Sequence, residues 1–226
     1  MRWIHDFRLF LFDFDGLLVN TEEIHFMAYK KMCLDRGFDL KWDFYRYCMA
    51  SHYESDKLKK DIYAEFPDLY NMEPKWEVLY AEKKQNIIEL LKGGAVHLMP
   101  GAERLLRALD DAKISRCVVT NSPKDQIELI KEKNPILQTI PYWFTRETYL
   151  EPKPNPECYL NAIAKVGIHD KIVGFEDTPR GMRALLHTPA KPVLISEVAY
   201  PEIADFKSKG VLYYQSLLNL PDNQLA

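Results

Sequence analysis

The sequence predicts an α/β protein: a parallel sheet covered by helices on both faces, with an all-helical insertion after the first strand. Three observations carry that prediction. Arg8–Phe12 is an almost continuous apolar run that ends in Asp13, the pattern of a strand buried on both faces. From about Thr21 to Lys92 the apolar residues recur only at helical spacing. Beyond Gly93-Gly94 strand-like and helix-like segments alternate, and such alternation builds a parallel sheet.

The elements follow in order. After the first strand comes Gly16, then helix with Ile24, Met27, Ala28 and Met32 on one face. A later helix carries Trp76, Leu79, Tyr80, Ile87, Leu90 and Leu91. Pro100 opens a helix with Ala102, Leu105, Leu106 and Leu109 inward, since proline suits a first helical turn. Ser115–Thr120 reads as a strand, and Ser122-Pro123 as the cap and start of the next helix. Tyr142–Thr145 is a short strand. Asn155-Pro156 starts a helix whose face is Tyr159, Ala162, Ile163 and Val166. Lys171–Phe175 is a strand before a helix start at Thr178-Pro179, and Lys191–Ser196 and Leu212–Tyr214 are the last two strands. The expected division is residues 1–18 with 95–226 for the sheet domain and 19–94 for the helical insertion.

Composition narrows the function. Of 226 residues 47% are hydrophobic and 28% charged, with a net charge of −3, so nothing global points to nucleic acid or an anionic membrane. No apolar run reaches the roughly 18 residues of a membrane span. The first residues do not read as a signal peptide, because Asp13 and Asp15 interrupt the apolar stretch. Cys33, Cys48, Cys117 and Cys158 fit no zinc spacing and no C-x-x-C pair. They read as buried thiols in a reducing compartment, which implies a cytoplasmic protein.

The chemistry sits at strand ends. In open parallel sheets ligands bind outside the carboxyl ends of the strands. Here the first strand ends in Asp13 and Asp15, the second in Thr120 and Asn121, and the strand at 171–175 in Glu176 and Asp177. Lys153, between Pro152 and Pro154, follows the third. Singly these residues suit turns, caps or solvated surface. Together they place four acids, a hydroxyl and a lysine at one crevice. Crowded carboxylates call for a cation, and hard oxygen ligands select Mg²⁺. A lysine, a hydroxyl and a helix N-terminus beside them suit phosphate oxygens. The set reads as a phosphoryl-transfer site with an aspartate placed to attack.

These residues resemble the four motifs of the haloacid-dehalogenase superfamily. Asp13–Glu22 (DFDGLLVNTE) is similar to its first motif, Val118–Asn121 to its second, Lys153–Pro156 (KPNP) to its third and Glu176–Gly181 (EDTPRG) to its fourth. The resemblance implies a Rossmann-like core with a helical cap, as in the β-phosphoglucomutase and phosphoglycolate-phosphatase subgroup. It implies that Asp13 attacks phosphorus and becomes an aspartyl phosphate, and that Asp15 exchanges protons with the leaving alcohol and the incoming water. Mg²⁺ would be held by Asp13, the Asp15 carbonyl and Asp177, with Glu176 as a further or water-mediated ligand. Thr120, Asn121, Lys153 and Gly16 would bind the phosphoryl group. Asp15 sets the chain apart from true dehalogenases. Asn20 stands where the family more often has aspartate, and the segment after Gly181 departs from the family pattern.

The resemblance leaves two enzyme readings. His25 falls where β-phosphoglucomutase has a cap-hinge histidine. The cap stretch Cys48–Glu54, however, lacks the glycine and arginine with which that mutase grips a second phosphate. Hydrolysis of a small phosphate monoester is therefore the expected activity, with the phosphomutase as alternative and a non-catalytic phospho-ligand binder as a second alternative. Arg46, His52 and Lys57 are the candidate substrate-reading residues of the cap. Trp42, Tyr45, Tyr47 and Tyr53 read as cap core. The expected partner is a small phosphorylated metabolite, and the expected state a monomer.

Overall fold

The computed structural model describes residues 1–52 and 56–225. The chain divides into two compact units, Met1–Asn20 with His97–Ala226 and Thr21–Val96. The division lies two residues beyond the expected one on each side, and the backbone supplies the reason. Val19 bridges Leu98 in antiparallel fashion, Asn20 N–H donates to His97 O at 3.1 Å, and Asn20 Oδ1 accepts from His97 N–H at 2.7 Å. An aspartate could accept that last bond equally well.

The first unit is built on β1 (Leu9–Phe12), β2 (Ser115–Val119), β3 (Tyr142–Phe144), β4 (Ile172–Glu176), β5 (Lys191–Ile195) and β6 (Leu212–Tyr214). All pair in parallel, in the order β3-β2-β1-β4-β5-β6. The central β1 is buried on both faces, as its apolar run requires. Phe10 and Phe12 stack with Phe175 at 6.1 and 5.2 Å, under the wholly buried Trp3. Leu9 and Leu11 face a core that includes Tyr159, Ile163, Met182 and Leu185. Met182 and Leu185, where the sequence leaves the family pattern, are thus core residues. The helices of the second unit, in chain order, are α1 (Thr21–Asp35), α2 (Phe44–Ser51), α3 (Lys57–Glu65), α4 (Pro67–Met72) and α5 (Trp76–Lys92). Those of the first unit are α6 (Ala102–Asp111), α7 (Lys124–Lys133), α8 (Glu157–Val166), α9 (Pro179–Leu185) and α10 (Ile203–Ser208). Among the described residues no helix is long and apolar enough to cross a membrane, and all four cysteines are buried and none is in a disulfide.

Several local expectations need correction. α6 begins at Ala102, not at Pro100, because Gly101 has φ +91°, a backbone that cannot continue a right-handed helix. A side chain at Gly101 would also meet the backbone of Leu217 and Leu218. Met27 and Tyr80 are 48% and 39% exposed rather than inward, and Lys83 is buried in α5 instead. The Lys83 ammonium lies over the ring of Tyr29 at 4.7 Å, so an aromatic face receives its charge. Trp42 and Tyr47 are buried as cap-core residues should be, Tyr45 is half exposed, and Tyr53 lies outside the described residues.

Candidate active site

Strand register gathers the acids. Phe12 is level with Val118 on β2 and with Phe175 on β4, so the next residue along, Asp13, comes level with Val119 and Glu176. Asp13 N–H donates to Phe175 O at 3.0 Å, which carries the ladder one step past the strand. This is the place where the strand order reverses, the favoured crevice of an open sheet. Asp13, Glu176 and Asp177, all buried, each bring a carboxylate oxygen within 4.8 Å of the others. Such a cluster of hard donors fits a divalent cation held by oxygen. One oxygen of Glu176, Oε2, is buried and accepts no hydrogen bond among the described residues, which also fits a cation.

Lys153 is the counter-charge. Its Nζ donates to Asp13 Oδ1 and to Glu176 Oε1, both at 2.6 Å, and to Val119 O at 2.8 Å. All three ammonium hydrogens are therefore used. Burial pushes the Asp13 carboxyl up to about 8, with Lys153 opposing and Glu176 and Asp15 reinforcing the rise. Burial alone would lower Lys153, but Asp13 and Glu176 outweigh it and the ammonium is held above its ordinary range. The Tyr159 hydroxyl also donates to Glu176 Oε1. Burial, and then the charges of Glu176 and Asp13, raise that phenol well above its usual range, so it remains a donor.

Thr120 and Asn121 follow β2. Thr120 Oγ1 donates to Asp15 Oδ2 at 2.8 Å and accepts from Ser122 N–H at 2.9 Å. Asn121 Oδ1 accepts from Lys153 N–H at 3.3 Å and lies 2.7 Å from the Tyr149 hydroxyl. These contacts fix the amide so that Nδ2 is its remaining donor. Gly16, at φ +76°, turns the chain after Asp15, and its N–H donates to Val19 O at 2.8 Å. Thr178 caps α9 by accepting from Gly181 N–H. Gly181 itself must lack a side chain, because a Cβ there would overlap the Glu176 carboxylate.

The structure thus brings together Asp13, Asp15, Thr120, Asn121, Lys153, Glu176 and Asp177. Three contributors escaped the sequence reading. Ser122, expected to cap α7, does not: Pro123 occupies the N-cap, and Ser122 Oγ donates to Asp15 Oδ2 at 2.7 Å. Tyr159 and Tyr149 reach Glu176 and Asn121 through their hydroxyls.

The candidates of the second unit have partners within that unit. His25, on α1, has Lys83 Nζ 3.3 Å from its Nδ1. An ammonium only donates, so this nitrogen accepts and the proton sits on Nε2. His52 is buried, with Nε2 3.0 Å from Glu22 Oε2, which also accepts from the Tyr47 hydroxyl at 3.1 Å. Arg46 pairs with Glu65 at 2.7 Å and lies over the Trp42 ring at 4.6 Å. Lys57 pairs with Asp61, one turn along α3. Tyr53 and Glu54, in the stretch compared with the mutase loop, lie outside the described residues.

A parallel α/β sheet with an acidic, lysine-bridged cluster at its carboxyl edge and a helical insertion after the first strand defines the class of protein. Residues 10–191 match the family model described as haloacid dehalogenase-like hydrolase, and the chain belongs to that family. It is 30% identical over 203 residues to 2-deoxyglucose-6-phosphate phosphatase 2 of Saccharomyces cerevisiae, covering 78% of this chain and 74% of the relative. It is 28% identical over 198 residues to the Drosophila melanogaster protein named "Probable pseudouridine-5'-phosphatase", covering 83% and 80%. The solved structure of CbbY from Rhodobacter sphaeroides with phosphate shares the fold, with a TM-score of 0.72, 21% identity and coverage of 95% and 96%.

Proposed function

We propose that the chain is a Mg²⁺-dependent phosphatase that hydrolyses a small phosphate monoester, a sugar phosphate or a similar metabolite, through an aspartyl phosphate on Asp13. The observation that carries this reading is the Lys153 bridge. It holds Asp13 and Glu176 2.6 Å from one ammonium, within a cluster that Asp177 completes. An ion pair kept for stability alone gains nothing from the additional buried carboxylates, since each costs desolvation. Kinship supports the same activity, because the relatives above are named as phosphatases.

In this reading the Asp13 carboxylate attacks phosphorus, the bond to the ester oxygen breaks, and that oxygen takes a proton from Asp15. A water then attacks the aspartyl phosphate, gives its proton to Asp15, and releases phosphate and the Asp13 carboxylate. Lys153 and Asn121 Nδ2 neutralise charge on the phosphoryl oxygens, while the Thr120 hydroxyl gives its one proton to Asp15 Oδ2. A bound Mg²⁺, held by Asp13, Asp177 and the Asp15 carbonyl, with Glu176 directly or through water, would offset the carboxylate charge and polarise the phosphoryl group. Hydrolysis stands ahead of the phosphomutase reading because Arg46 is already engaged by Glu65 and Trp42, and not set aside for a second phosphate.

The test is phosphate release from a panel of small phosphate esters, with Mg²⁺ and with chelator, by wild type and Asp13→Asn. Release that needs Mg²⁺ and falls roughly 10³-fold or more in Asp13→Asn is expected. Undiminished release by Asp13→Asn would refute the reading. A folded wild type that releases nothing, yet isomerises a sugar phosphate once primed with a sugar bisphosphate, would make it a mutase.

A further inference from the structure

Ser122 has the sequence position of a helix cap and the surroundings of a working residue. Its hydroxyl is turned away from α7 and donates to Asp15 Oδ2 at 2.7 Å. Thr120 Oγ1 donates to the same oxygen at 2.8 Å. The direction of both bonds follows from proton counting. Ser122 N–H is given to Thr120 Oγ1 at 2.9 Å, so the single Thr120 proton goes on to Asp15. The Ser122 backbone is pinned in turn, with its carbonyl accepting from Arg146 N–H at 3.1 Å. The residue is buried, so little solvent competes for its hydroxyl.

We infer that Ser122 is a positioning residue for Asp15: with Thr120 it fills both lone pairs of Oδ2, so that the proton Asp15 exchanges in catalysis is carried on Oδ1. This inference rests on the phosphatase reading above. The reaction stays balanced. As the phosphorus–ester oxygen bond breaks, its electron pair remains on that oxygen, which takes the proton from Asp15 Oδ1. In the second step the attacking water returns a proton to the same atom. Without the Ser122 bond the carboxyl gains rotational freedom, and proton delivery loses its aim.

Leaving-group dependence isolates this role. An alkyl phosphate expels a strongly basic alkoxide and needs the proton, whereas p-nitrophenyl phosphate expels a stable phenolate and does not. The ratio kcat/KM reports the steps up to transfer of phosphate to Asp13, so slow hydrolysis of the phosphoenzyme does not mask the effect. Ser122→Ala is expected to lower kcat/KM for a sugar phosphate by about 10- to 100-fold, part of the 10²–10⁴ that general acids supply. For p-nitrophenyl phosphate the expected loss is less than about threefold, and Ser122→Thr should restore the sugar-phosphate rate. If Ser122→Ala does not fold, Ser122→Cys, of similar size but a weak donor, should show the same split. Equal loss on both esters, or no loss on either, would overturn the inference while leaving the phosphatase reading intact. Full activity of Asp13→Asn would remove the reading beneath it.

Discussion

Lys153→Met tests the charge balance of the site without removing the lysine's apolar stem. The wild-type ammonium makes three short hydrogen bonds, to Asp13, Glu176 and Val119 O. Methionine fills much of the same space but leaves two buried carboxylates without their counter-charge. Removing one partner of such a pair costs about 3–5 kcal/mol. For a chain of this length each kcal/mol moves Tm by about 2–4 °C, so the expected drop in chelator is roughly 6–20 °C. The deficit depends on pH, with a sign fixed by the Asp13 carboxyl. Burial already raises that group to about 8 against the pull of Lys153, and without the lysine it rises further. A folded carboxyl that holds its proton more tightly than the unfolded one loses stability as pH rises through the interval between the two values. Wild type carries the same loss up to about pH 8, so the variant's deficit should be smaller at pH 7 and widen at pH 9, where only wild type ionises Asp13, and Mg²⁺ at pH 9 should recover part of the loss. Thermal melts at both pH values, with chelator and with Mg²⁺, decide the matter. A deficit equal at the two pH values, or a Tm within about 2 °C of wild type at pH 9 in chelator, would refute the reasoning.

Four further outcomes follow from the same geometry. In cation-free wild type the raised Asp13 group should make stability fall between about pH 4 and 8, by up to about 1.4 kcal/mol per pH unit. Mg²⁺ binding, followed by calorimetry in buffers of different ionisation heat, should release a proton below pH 8 and strengthen as pH rises to that value, then level off. Gly181→Ala should cost about 1–3 kcal/mol and weaken Mg²⁺ binding, because the new methyl overlaps the Glu176 carboxylate; unchanged melting and calorimetric affinity would contradict it. Native protein should react with a thiol reagent at pH 8 only as fast as it unfolds, since burial pushes Cys33 up to about 12, Cys158 to about 11 and Cys117 higher still.

The strands and the charged half of the site were legible because both are local signals. An apolar run that ends in an acid shows strand, direction and ligand end at once, as Arg8–Asp13 and Lys171–Asp177 do. What failed was whatever depended on a partner distant in sequence. Ser122-Pro123 has the composition of a helix cap, and nothing nearby reveals that an Asp15 oxygen will take the hydroxyl. Tyr159 fits an apolar helix face, which its ring does occupy, but periodicity is blind to where a phenol oxygen ends. Lys83 broke the pattern of α5 for a similar reason, since aromatic rings cover a charge that periodicity would send to solvent.

The Asn20–His97 pairing also bears on how the chain folds. β1 and β2 are neighbours, with Leu9 beside Ser115, yet about a hundred residues must be closed to join them. Because Asn20 and His97 sit side by side, a helical unit that forms first brings its own ends together. The stretch left to close then shrinks to about 30 residues, and the entropic barrier to central strand pairing falls by about 1 kcal/mol. The insertion in this way works as a built-in splint for the sheet it interrupts. Changes that loosen the helices should slow the formation of β1–β2 pairing even where they touch no residue of the sheet.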